Sequence, residues 1–195
     1  MEQTNPRKLA VLLPGIGYTC DRPLLYYGGK LAASLGWETL PVTFDGFPKK
    51  VRGDRARLEE SMHLALLKTE ERLKEIPWAS YASVAFISKS IGTVAAVAYA
   101  QGHHLRCRHV LLTPLEDTFA HPLGEAVAFH GSADPWAATP EIRRLCALSG
   151  TALHVTEGAN HSLETGDVHR DITTLQETLM KMEAFLRRED RGREE

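Results

Sequence analysis

Short apolar runs alternate with longer charged stretches along most of the chain. The first run, Leu9 to Leu13, is continuous and ends in Pro14-Gly15, which predicts a strand buried on both faces of a sheet. Further strands are predicted at 38–44, 83–87, 109–112, 126–129 and 152–155. Apolar positions at helical spacing predict helices at 23–35, 55–75, 91–101, 140–148 and 170–186. Asp21 is expected to cap the first helix, which begins near Pro23.

This alternation of strands and helices predicts a three-layer αβα sandwich around a mostly parallel six-stranded sheet. One domain is expected over 1–186, since the length suits a single core. The longest irregular stretch, 113–125, is too short to form a lid domain. Residues 187–195 are a run of mixed charges, which predicts a solvated, disordered tail.

The third predicted strand passes directly into a helix through Ser88-Lys89-Ser90-Ile91-Gly92. A sharp strand-to-helix turn of this kind presents a nucleophilic hydroxyl, and its backbone needs small residues two positions away on either side. Gly92 meets this need, and Ser88 stands where the usual pattern has glycine. We therefore predict that Ser90 is a nucleophile, with a helix-capping serine as the alternative. Ser88 is expected to support the turn, and Lys89 is expected to be a solvated charge.

A serine hydroxyl needs a base, and the base needs an acceptor that orients it. His161 follows the sixth predicted strand, so it should lie at the same sheet edge as Ser90. Asp134 follows the fifth strand and is the predicted orienting acid. Glu116 and Asp117, after the fourth strand, are the alternatives for the acid.

Hydrogen-bond donors for an oxyanion should lie beside the nucleophile. One is the backbone N–H of Ile91, directly after Ser90. The second is expected from the glycine-containing loop after the first strand, with Ile16 as the first choice and Gly17 as the alternative. The alternative is that these glycines only form a turn and bind no ligand.

Two aromatic residues flank these positions. Tyr18 follows the predicted oxyanion loop and Trp136 follows the predicted acid. Each is a candidate for substrate contact, and each could equally be a packing residue.

Taken together, Pro14-Gly15-Ile16-Gly17, the Ser88–Gly92 turn, His130-Gly131-Ser132-Ala133-Asp134 and Asn160-His161-Ser162 resemble the α/β-hydrolase superfamily. The chain looks most similar to the small, capless dienelactone-hydrolase-like and carboxylesterase-like members. The resemblance implies the strand order 4-3-5-6-7-8, with the superfamily's first two strands absent. It also implies transfer of an acyl group from an ester, thioester or amide to water through an acyl-serine.

Within this family the activity remains open. Dienelactone hydrolases use a cysteine nucleophile, and none of the three cysteines lies at the turn, so that activity is not implied. An acyltransferase or a peptidase could use the same triad. A binding protein could retain the fold without turnover, since a fold does not settle function.

The composition of the chain limits the kinds of molecule that it is expected to bind. A net charge of −2 offers no basic surface for nucleic acid or an anionic membrane, so the expected partner is a small-molecule ester. No apolar stretch approaches the length of a membrane span, and the first apolar run is shorter than a signal core. Three widely spaced cysteines predict reduced thiols in the cytoplasm. The sequence leaves open whether the chain forms a homodimer.

Neither a metal nor a cofactor is expected. The histidines and cysteine of the segment 103–109 are metal-ligand types, but they precede the fourth strand and so should lie at the opposite sheet edge. Gly15-Ile16-Gly17 is only a fragment of a dinucleotide fingerprint, because Cys20 occupies the third glycine position.

Overall fold

The computed structural model describes residues 6–188, so the expected tail lies outside the described residues from residue 189 onward. The strands are β1 Lys8–Leu13, β2 Glu38–Pro41, β3 Ser83–Lys89, β4 Arg108–Leu112, β5 Glu125–Gly131 and β6 Ala152–Thr156. The helices are α1 Pro23–Ser34, α2 Arg55–Leu73, α3 Ile91–Gly102, α4 Thr139–Ser149 and α5 Val168–Leu186. Short 3₁₀ turns lie at Trp78–Ser80 and Glu116–Ala120.

The six strands form one parallel sheet in the order β2-β1-β3-β4-β5-β6. This confirms the predicted order and the lidless three-layer architecture. The second strand is shorter than predicted and ends at Pro41 instead of residue 44. The N–H of Val42 still donates to Leu12 O on the neighbouring strand β1. Because β1 itself ends at Leu13, the residues after Val42 have no strand beside them to pair with.

Apolar side chains cover both faces of the sheet, which explains the continuous apolar runs of the central strands. On one face, α1 and α5 pack against alternate residues of the strands, such as Ala85 and Ile87 of β3. On the other face, α2, α3 and α4 pack against the intervening residues, such as Val84 and Phe86. Within residues 6–188, no helix combines the length and the apolar character needed to cross a membrane.

The start of α1 differs from the prediction. Arg22, not Asp21, is the residue that precedes the first helical turn, and its side chain makes no capping bond. Instead, the hydroxyl of Tyr18 accepts a hydrogen bond from the backbone N–H of Leu24 at 3.0 Å. A residue six positions earlier thus replaces the expected cap, and it ties the loop after β1 to the helix.

Candidate active site

The turn between β3 and α3 holds Ser90 in an unusual backbone conformation. Ser90 has φ 55° and ψ −123°, and its N–H donates to Leu112 O at 3.0 Å. Such a conformation costs a non-glycine residue of order 1–3 kcal/mol, and it persists only where the surroundings enforce it. The strained turn lifts the Ser90 hydroxyl above the carboxyl end of the sheet, as the strand-turn-helix pattern predicted.

The close approach of β1 explains why the turn needs a glycine at position 92. A methyl group on Gly92 would contact Pro14 O and would lie 2.7 Å from Leu13 O, and both of these are backbone atoms. On the other side of the nucleophile, a serine is accommodated, because Ser88 is buried and its hydroxyl donates to Val110 O at 3.3 Å.

Two glycines of the same helix provide a matched test of this packing. Gly92→Ala should lower the free energy of unfolding by at least about 2 kcal/mol, because rigid backbone must move. Gly102→Ala, at the other end of α3, meets no atom within 4 Å and should leave stability unchanged or raise it by up to about 1 kcal/mol. Urea unfolding of both variants measures the difference, and equal stabilities would contradict the packing argument.

Ser90, His161 and Asp134 form a continuous hydrogen-bonded chain. The hydroxyl oxygen of Ser90 lies 2.7 Å from Nε2 of His161, and Nδ1 of His161 lies 2.7 Å from Oδ2 of Asp134. A carboxylate only accepts, so Nδ1 carries the proton and Nε2 is left to accept from Ser90. The other oxygen of Asp134 accepts the Trp136 backbone N–H at 2.8 Å, which fixes the carboxylate.

Close packing between two loops brings the acid and the histidine together. A methyl group on Gly131 would lie 2.6 Å from Asn160 O, so only glycine lets the loop that carries His161 lie against the end of β5. Ala133 N–H then donates to Ala159 O at 2.9 Å. The sequence predicted that both loops lie at the same edge of the sheet, and these contacts fix the distance between Asp134 and His161.

The alternative acids are engaged elsewhere. Both carboxylate oxygens of Asp117 accept from the Arg55 guanidinium, at 2.9 and 2.7 Å. Glu116 is exposed, and neither residue contacts His161. Among the candidate acids, the structure brings only Asp134 to the histidine.

The environment of His161 favours its neutral form. Burial lowers the pKa of His161 most, and the charges of Lys89 and His130 lower it further. The hydrogen bond to Asp134 opposes this shift, since a carboxylate stabilises the imidazolium. The pKa of His161 therefore lies below the ordinary histidine value, so the imidazole is neutral and can accept a proton at neutral pH.

Trp136 is a packing residue in this structure, and contact with a substrate stays a prediction. Its ring stacks on the His161 ring, with centroids 5.4 Å apart and planes at 27°, and it also packs against the cluster beneath α3. The stacked ring therefore covers one face of the imidazole.

The turn after β1 lies directly beside the nucleophile. Gly15 and Tyr18 exchange backbone hydrogen bonds at 3.0 and 3.2 Å, and a methyl group on Gly15 would lie 3.1 Å from Cβ of Ser90. Within residues 6–188, the N–H groups of Ile16, Gly17 and Ile91 have no backbone acceptor. Two of the predicted oxyanion donors thus belong to a turn that starts beside Ser90, and the third, Ile91, directly follows it.

Tyr18 and Lys89 lie in the interior rather than at the surface. Tyr18 is 8% exposed and its hydroxyl binds α1, so its ring serves to anchor the turn. Burial raises the pKa of Tyr18 to about 12. The expectation that Lys89 is a solvated charge is wrong, because its side chain is only 1% exposed and packs against the Tyr18 ring.

Sequence reasoning missed two residues that support the triad. Thr113 has φ 45°, rare for a β-branched residue, and its hydroxyl donates to His161 O at 3.0 Å. His130 is buried, with Nδ1 3.8 Å from Oδ2 of Asp134 and Nε2 3.0 Å from the Thr139 hydroxyl. His130 stood in a quoted motif, but nothing in the sequence showed that its ring faces the acid.

Other surface features lie away from this chain of residues. A cleft of about 540 Å³ beside α2 and one of about 430 Å³ near Trp37 contain no triad residue. Across the part of the chain that the structure describes, no group of three or more histidine, cysteine, aspartate or glutamate residues is arranged to hold a metal ion.

Solved structures with the same architecture are numerous, although no family model and no curated protein matches the sequence. One is a Xanthomonas campestris protein described as a candidate hydrolase of the α/β superfamily, with 15% identity, TM-score 0.66, and coverage of 92% of this chain and 98% of that one. A lidless α/β serine hydrolase from the same species has 12% identity, TM-score 0.64, and coverage of 93% and 84%. An esterase from Pyrococcus furiosus has 15% identity, TM-score 0.65, and coverage of 93% and 83%.

Proposed function

We propose that this chain, which has the lidless α/β-hydrolase fold, is a serine hydrolase that cleaves a small ester or thioester. The observation that carries the proposal is the unbroken hydrogen-bonded chain from Ser90 through His161 to Asp134. A serine with no adjacent base is a poor nucleophile, and a histidine with no carboxylate lacks a fixed tautomer. The arrangement supplies both, at a strained turn beside uncommitted backbone donors.

The reaction follows from these positions. His161 Nε2 takes the proton of Ser90 as Oγ bonds to the substrate carbonyl carbon, and the carbonyl oxygen becomes an oxyanion facing the N–H groups of Ile91 and of Ile16 or Gly17. As the intermediate collapses, Nε2 gives that proton to the departing alcohol or thiol. Water then attacks the acyl carbon and loses a proton to Nε2. As the bond between that carbon and Oγ of Ser90 breaks, Nε2 returns the proton to Oγ and the acid is released.

Two observations support the proposed reaction type and the proposed cellular location. Structures similar to this chain include a serine hydrolase without a lid and an esterase, which supports ester cleavage over other uses of the fold. The proposal includes a cytoplasmic location, supported by three cysteines that form no disulfide. The acyltransferase, the peptidase and the binding protein without turnover are the competing readings.

A panel of p-nitrophenyl esters from acetate to laurate tests the proposal. We expect p-nitrophenol release with a preference for short acyl chains, and free acid as the product even when an alcohol or amine acceptor is added. Acyl transfer to the acceptor as the main product would show an acyltransferase. A protein that neither turns over any ester nor reacts with a fluorophosphonate would be a binding protein, and the proposal would be wrong.

The proposal also sets the direction of the pH dependence. Because only the neutral imidazole accepts the Ser90 proton, kcat/KM should rise with pH through the pKa of His161. Burial lowers that pKa, so the midpoint should lie below the ordinary value of about 6.5. Hydrolysis rates from about pH 4.5 to 9 measure it. A rate that does not change across this range would contradict the role of His161.

A further inference from the structure

A lysine side chain is buried directly beside the proposed nucleophile. Lys89 precedes Ser90 and is 1% exposed. Its stem runs beneath the turn after β1, where a methyl group on Gly15 would lie 3.4 Å from Cγ of Lys89. Nζ lies 5.0 Å from the centroid of the Tyr18 ring. Within residues 6–188, Nζ has neither a hydrogen-bond acceptor nor a carboxylate within 4.0 Å.

Packing alone does not account for an ammonium group at this place. A methionine side chain would fill much the same space without the cost of removing a charge from water. The Tyr18 ring compensates part of that cost through its π face. The remaining compensation comes from more distant carboxylates, and burial still lowers the pKa of Lys89 to about 7. A charge kept at such a cost beside reacting groups is typical of a functional role.

Tyr18 lies against Lys89, and charged groups from two further segments act on it through the interior. Tyr18 belongs to the turn after β1, Asp134 follows β5, and His161 and Glu164 belong to the loop before α5. The two carboxylates favour the charged form of Lys89. In return, the charge of Lys89 disfavours a second positive charge on His161. The geometry agrees, because Lys89 directly precedes Ser90 in the buried turn, and Oγ of Ser90 lies 2.7 Å from Nε2 of His161. His130, on β5, is the other group whose positive charge acts on His161.

We propose that Lys89 is a positioning residue of the reaction, whose buried ammonium acts through His161 by holding the imidazole in its neutral, proton-accepting form in mildly acidic solution. The inference rests on the proposed function, because it assigns the lysine a task in the same proton transfer. The ammonium repels the imidazolium but not the neutral ring. Its effect exists only while Lys89 is protonated, so it fades as the pH rises past about 7.

Lys89→Met removes the charge and keeps most of the stem. We expect the acid limb of kcat/KM to move up by about one pH unit, as one unit charge in a protein interior can cause. The ratio of variant to wild-type kcat/KM should therefore be about one tenth near pH 5 and should approach one near pH 9, where both side chains at position 89 are uncharged. A purely structural role would lower the ratio equally at every pH.

Two further variants complete the experiment. Lys89→Arg keeps the charge and should restore the wild-type acid limb. Lys30→Met is the matched control, because exposed Lys30 also lies over a tyrosine ring, with Nζ 5.6 Å from the Tyr26 centroid, yet it is not among the groups that affect His161. It should leave the acid limb in place.

Each outcome decides one question. If wild-type protein neither hydrolyses esters nor reacts with a fluorophosphonate, the proposed function fails and the inference fails with it. If wild-type protein is active and the acid limbs of Lys89→Met and wild type coincide, the inference alone is wrong. A Lys89→Met protein that does not fold would show that the ammonium is a structural contact, which would also overturn the inference.

Discussion

Replacing Ser90 with alanine should abolish ester hydrolysis while the protein remains folded. Loss of the nucleophile removes the acyl-serine route entirely, and we expect kcat to fall by about 10⁶-fold, the loss caused by the same change in a well-studied serine protease. Alanine retains Cβ, so the backbone strain at φ 55° and the contact with Gly15 are unchanged. Steady-state kinetics with a p-nitrophenyl ester and thermal unfolding measure the two effects.

Ser88→Ala is the matched control two residues away. Ser88 is buried and its hydroxyl donates to Val110 O, so its removal should cost about 1 kcal/mol of stability and little activity. A Ser88→Ala enzyme that loses activity as completely as Ser90→Ala would mean that the turn's integrity, rather than the Ser90 hydroxyl, is being tested.

Replacing Asp134 with asparagine should lower kcat by up to about 10⁴-fold, the loss caused by this change in a serine protease. The asparagine carbonyl can still accept the Trp136 N–H, so the turn after β5 should survive. Its amide nitrogen would then face Nδ1 of His161 as a donor. The imidazole would have to accept there and carry its proton on Nε2, where it can no longer take the proton of Ser90.

Asp117→Asn provides the comparison for this prediction. It makes the same chemical change in an acid that the sequence left as an alternative, but Asp117 pairs with Arg55 at the surface. Surface ion pairs contribute about 0–1 kcal/mol, so stability should change little and kcat by less than about twofold. Retained activity in Asp134→Asn together with a collapse in Asp117→Asn would transfer the role of the acid to the segment after β4.

Much of the fold follows from local patterns. The run Leu9 to Leu13 is apolar at every position because β1 has helices on both sides, and this signal requires no knowledge of its neighbours. The positions of Ser90, Asp134 and His161 also followed from the pattern, because each comes after a different parallel strand and parallel strands end at one edge.

Contacts between distant segments explain what the sequence did not show. A lysine between two serines has the composition of a surface turn, but in the fold the Gly15–Tyr18 turn packs against Lys89. Thr113 likewise follows β4 as an ordinary polar residue. Its bond to His161 O depends on a loop 48 positions away in the sequence. The cap of α1 by Tyr18 was missed for the same reason, since capping rules consider only adjacent residues.

The site of covalent labelling tests the central claim most directly. Wild-type protein is allowed to react with a fluorophosphonate and is then digested with trypsin, which cleaves after Lys89 and Arg106 and so separates Ser90 from Ser88. We expect one label per chain, on the peptide Ser90–Arg106, with fragment ions that place it on Ser90. A label on the peptide that ends at Lys89 or elsewhere, or no label at all, would contradict the assignment of Ser90 as the activated nucleophile.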